Sequence, residues 1–136
     1  YTLRTLFPYT TLFRSNEKLI LAYGLTKEEE EKLNSVLSKQ NILPCKVIKK
    51  NMGNVTIKEV LENIESEKSE IELPYEKLLL FNSYKDKELY DLIDSIRQIK
   101  SSNTILAAVT PTSINWTVNY LMQHLIEERE AYRKME

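Results

Sequence analysis

The sequence predicts an α/β protein: two tandem β-α-β-α repeats forming a four-stranded, at least partly parallel sheet with helices packed against it. Three observations predict it. Glu17-Lys18-Leu19-Ile20-Leu21 recurs as Glu76-Lys77-Leu78-Leu79-Leu80, 59 positions later. Short unbroken apolar runs alternate with amphipathic stretches of helical period. The stripe Ile57, Val60, Leu61, Ile64 recurs 61 positions later as Val118, Leu121, Met122, Leu125.

The elements follow in order. Leu19 to Tyr23 is apolar throughout, as in a strand buried on both faces. Thr26 to Lys39 is helical: Thr26 and Glu29 have the spacing of a capping box, and Leu33, Val36 and Leu37 share one face. Cys45 to Lys49 alternates and reads as an edge strand. Ile57 to Ile64 carries the stripe of a second helix. Glu65 to Pro74 is charged, lacks helical periodicity and reads as a linker. Leu78 to Phe81 repeats the first strand. A helix from about Asp86 carries Leu89, Leu92, Ile93 and Ile96. Thr104 to Thr110 holds the apolar run Ile105-Leu106-Ala107-Ala108-Val109, and a last helix runs through Val118 to Lys134, charged at its end. A strand joined to the next through a helix is normally a parallel crossover. A ferredoxin-like α+β sandwich of the same elements is the alternative, because sequence does not fix which strands are neighbours.

Residues Thr5 to Ser15 read TLFPYTTLFRS, which matches the in-frame translation of a DNA-sequencing adapter over all eleven positions. Residues 1–15 are therefore set aside as an artefact outside the fold. The domain reading is then a first unit at 16–64, a linker at 65–74 and a second unit at 75–136.

The chain has a net charge of −1, or −3 once Arg4 and Arg14 are set aside, with both signs interspersed. Nucleic-acid binding calls for a one-sided basic surface, so it is disfavoured. No apolar run approaches the ~20 residues that span a bilayer. Cys45 is the one cysteine and His124 the one histidine, which leaves no disulfide and no metal-ligand set; no metal or cofactor is implied. These features together point to the cytoplasm.

The candidate site is the segment from Ala108 to Thr117, where a strand ends and a helix begins, the edge at which open α/β sheets bind ligands. Free helix N–H groups with Thr and Ser hydroxyls suit a carboxylate or phosphate. Thr110, Pro111, Thr112, Asn115, Trp116 and Thr117 are the residues concerned. The plainer reading is helix capping, which Asn54 and Thr56 support by matching Asn115 and Thr117. Trp116 stands where the first unit has Val55, and Thr110-Pro111-Thr112 where it has Lys49-Lys50-Asn51. Gly24 and Gly53 form no phosphate-cradling loop, and nothing assembles a nucleophile, base and oxyanion donor.

Leu73 to Asn82, Ala108 to Thr112 and Asn115-Trp116-Thr117 resemble the bacterial family known as domain of unknown function 3783. The resemblance is strongest over residues 74–130. It implies a small cytosolic bacterial domain and carries over no catalytic residues. The functional expectation is a non-enzymatic binding or regulatory module, acting through a protein partner or a small anionic ligand. The alternative is a small enzyme whose site a ligand or partner subunit completes.

Overall fold

A computed structural model describes residues 18–62, 72–97 and 104–135. Four strands, β1 (Leu19–Tyr23), β2 (Lys46–Ile48), β3 (Leu78–Asn82) and β4 (Ile105–Ala108), alternate with four helices, α1 (Lys27–Lys39), α2 (Ile57–Leu61), α3 (Asp86–Ile96) and α4 (Val118–Lys134). A 3-10 turn, Ser113–Asn115, precedes α4. The segment set aside at 1–15 lies outside the described residues, as does most of the linker.

The strands form one mixed sheet in the order β2-β1-β3-β4. β1 runs parallel to β2, and β3 runs parallel to β4. The two parallel pairs meet along an antiparallel β1–β3 seam in which Leu21 faces Leu80. These two leucines are 59 positions apart. Thr56 and Thr117, 61 apart, meet in an isolated antiparallel bridge. Around that bridge the Ile57 N–H donates to the Trp116 carbonyl (2.9 Å), and the Val118 N–H donates to the Val55 carbonyl (2.8 Å). Matching positions of the two units thus exchange bonds about a local two-fold. The ion pairs follow the same rule, Lys18 with Glu88 and Lys77 with Glu29 (2.8 Å).

Alternation along the central strands explains the layers. Leu19, Leu21, Tyr23, Leu78 and Leu80 point to one face, where Ile57, Val60 and Leu61 of α2 and Val118, Leu121 and Met122 of α4 cover them. Ile20, Ala22, Leu79 and Phe81 point to the other, under Leu33 and Leu37 of α1 and Leu92 and Ile96 of α3. Both central strands are fully buried, which is why each reads as an unbroken apolar run. Helices on both faces and two parallel strand pairs rule out the ferredoxin-like alternative. β2 lies at an edge, as its alternation predicts. β4 occupies the opposite edge although its sequence is wholly apolar, and its residues are only partly buried.

The helix starts obey local chemistry. Thr26 accepts from the Glu29 N–H (3.2 Å) while Glu29 accepts from the Thr26 N–H (2.9 Å). Thr56 and Glu59 make the same reciprocal pair. Leu73, placed in the linker by its charged neighbours, is 4% exposed and packs into the α2/α4 core. Its N–H donates to the Lys50 carbonyl at 3.1 Å.

Candidate functional site

In the Thr110–Thr117 loop, local hydroxyl bonding dictates the shape. The Thr110 N–H donates to Ser113 Oγ (2.9 Å), and the Ser113 N–H donates back to Thr110 Oγ1 (2.9 Å). Thr117 caps α4 by accepting from the Tyr120 N–H at 3.1 Å. The other N–H groups at that helix start are also engaged: Val118 donates to Val55, and Asn119 donates to Gly53 (3.0 Å). The donors an anion would need are therefore bonded within the chain. Pro111, Thr112 and Asn115 are exposed, whereas Trp116 is half-buried. The structure brings Thr110 to Ser113 and Trp116 to the helix face.

Trp116 packs edge-on against Tyr120 (ring centroids 4.8 Å apart) and against His124 (5.2 Å). The three rings succeed one another at a spacing of four residues, from the loop into α4. Trp116 also touches the α2/α4 core. Partial burial sets its energetic role between those of a core residue and a surface residue. Trp116→Ala is expected to cost about 1–3 kcal/mol, short of a full core truncation. Acrylamide should quench its fluorescence to an intermediate degree, and urea titration of the variant checks the energy.

Sequence reasoning missed a second place. A cleft of about 500 Å³ opens at the carboxyl ends of β1 and β2, lined by Tyr23, Gly24, Leu25, Val47, Ile48, Lys50, Tyr75, Glu76 and Lys77. Chain folding builds it in two steps. β1 stops at Gly24, whose φ of +79° turns the chain into α1. The approach to β3 then crosses over this end, close enough that a Cβ on Gly24 would lie 2.0 Å from the Glu76 carbonyl oxygen.

Four polar contacts hold the crossing segment in place. The Tyr23 hydroxyl donates to the Pro74 carbonyl at 2.9 Å, and burial raises its phenol pKa above the ordinary value. Leu73 bonds Lys50 as described above. Lys77 pairs with Glu29. Glu76 receives both guanidinium nitrogens of Arg129, at 2.7 and 2.9 Å. This fork holds the Glu76 carboxyl below the usual carboxylate range.

The sign of that shift fixes a pH dependence. A carboxylate whose folded pKa lies below its unfolded value of 4.5 stabilises the fold above that value and loses the contribution as pH falls through the folded pKa. Glu76→Gln is expected to lower stability by about 1–2 kcal/mol at neutral pH, since both partners are under a quarter exposed. The gap to the unsubstituted chain should narrow progressively as pH falls below 4.5, as urea titrations at neutral and acid pH would show.

With Glu76 and Lys77 both paired, Lys50 supplies the cleft with a cation that makes no ion pair among the described residues. Its Nζ lies 4.1 Å from the centroid of the Tyr75 ring, and that tyrosine is 87% exposed. Apolar walls come from Leu25, Val47 and Ile48. The arrangement can hold a small molecule with an apolar body and one negative end. Cys45 lies outside this lining, and burial followed by the Glu30 charge pushes its thiol up to about 11, far from a reactive thiolate. Among the described residues no cluster of three His, Cys, Asp or Glu side chains could hold a metal ion. Among them, too, no helix is long and apolar enough to cross a membrane.

The clue available in sequence was Tyr23-Gly24 at the end of a central strand, since a glycine there signals a sharp exit or a close backbone approach. The crossing of residues 72–77 had no local signal. Searches of curated proteins and of solved structures each found no match. Residues 77–132, from β3 into the last turns of α4, match the family model described as Domain of unknown function (DUF3783), so the second unit is similar to that family, as its Asn115-Trp116-Thr117 loop suggests.

Proposed function

We propose that this protein is a non-enzymatic binding or regulatory module of the bacterial cytoplasm, and that it takes a small anionic ligand in the Tyr23–Lys50–Tyr75 cleft. The observation that carries the reading is the Lys50 ammonium, which makes no ion pair among the described residues, at the rim of a cavity of about 500 Å³. That volume falls within the range of ~300–1,000 Å³ typical of small-molecule sites. The location supports it as well, at the carboxyl ends of two parallel strands. An internal duplication fits this picture, one unit keeping the cleft and the other the Thr110–Thr117 loop. The Tyr23 phenol in the lining is committed to a backbone carbonyl.

A thermal-shift screen against small carboxylates and phosphate esters tests the proposal. A ligand at one hundred times its Kd adds about 2.7 kcal/mol of stability. The stabilisation should disappear in Lys50→Ala and persist in Lys50→Arg. A screen without any stabilising anion, or a shift that survives Lys50→Ala, contradicts it.

A further inference from the structure

The two outer strands of the sheet, β2 and β4, differ in charge. The exposed Lys49 and Lys50 stand at the end of the β2 edge, and charge of this kind is the usual protection against pairing with another chain. β4 carries no such guard. From Ser101 to Ile126 the sequence contains no Asp, Glu, Lys or Arg, in a chain that is 29% charged.

The inner side of β4 is occupied, with the Ile105 N–H donating to Lys77 (2.8 Å) and the Val109 N–H to Phe81 (2.9 Å). Alternation turns the backbone N–H groups of Leu106 and Ala108 outward, and no acceptor takes them among the described residues. The strand is apolar and only partly buried.

We propose that β4 pairs antiparallel with β4 of a second copy, making one continuous sheet across a two-fold dimer. Charge selects the occupant. In a two-fold contact residue i faces j and j faces i, and the residues beside the axis meet their own mates, so a charge there would meet its like. An uncharged edge escapes that repulsion, whereas β2 against β2 would oppose lysines. The chain already joins apolar strands antiparallel about a local two-fold at its β1–β3 seam.

Light scattering on the full chain at its highest soluble concentration should give twice the 16.0 kDa monomer mass. Leu106→Pro removes an outward donor and leaves the β3 bonds in place. Ala108→Lys sets like charges across the two-fold, at an exposed position that tolerates the side chain. Each should yield a monomer with unchanged circular dichroism. If Leu106→Pro fails to fold, Ala108→Lys decides. A monomeric unsubstituted chain overturns the proposal, and so does a dimer that persists in the folded variants.

Discussion

Gly24→Ala is expected to destabilise the protein by about 2–5 kcal/mol, combining a left-handed backbone cost of ~1–2 kcal/mol with overpacking of ~1–3 kcal/mol. The backbone φ of +79° admits glycine freely and other residues at a cost. The added Cβ also meets three main-chain atoms of the β3 approach: the Glu76 oxygen at 2.0 Å, the Glu76 carbonyl carbon at 3.1 Å and Lys77 Cα at 3.3 Å. Main chain cannot swing aside as a flexible side chain would, so residues 76–77 must shift. The thermal midpoint should fall by roughly 10–20 °C. Ser83 is the matching position of the second unit, with φ of +65°. Ser83→Gly should therefore change stability little or raise it by up to about 1 kcal/mol. Circular-dichroism melts of the two variants separate backbone strain from the clash.

Phe81→Ala should cost about 3–5 kcal/mol, the range for deleting a large buried aromatic. Phe81 is 2% exposed, pairs with Ile20 across the β1–β3 seam and stands edge-on to Tyr84, with centroids 6.2 Å apart. Among the described residues the α1/α3 core contains eight buried side chains, and truncating the largest of these leaves a cavity that few neighbours can fill. In urea the midpoint should drop with little change in slope, because the surface exposed on unfolding is nearly the same.

Much of this fold was legible because its forces are local or periodic. Five and four consecutive apolar residues announced β1 and β3, since both faces of each are covered. The Thr26–Glu29 cap and the copied stripe of α2 and α4 were visible as spacings. What stayed hidden was set by contacts between distant segments. Nothing in Leu19–Tyr23 alone says that its second neighbour is antiparallel. The apolar run of β4 resembled a central strand, yet it lies at an edge. The same limit applied to the site. The Thr110–Thr117 loop showed hydroxyls and a helix start, but not that Val55 and Gly53 would take the helix N–H groups. The cleft depends on residues 72–77 crossing Gly24, a contact spanning about fifty positions of sequence.

The central claim is that the cleft, and not the Thr110–Thr117 loop, receives the anion. Amide chemical-shift mapping by NMR during titration with a carboxylate or phosphate ester that raises the melting temperature tests it most directly. The account predicts saturable shifts centred on Gly24, Leu25, Lys50 and Lys77, lost in Lys50→Ala while the rest of the spectrum stays folded. Saturable shifts centred on Thr110, Thr112 and Thr117, with the Gly24 and Lys50 amides unmoved, would contradict it.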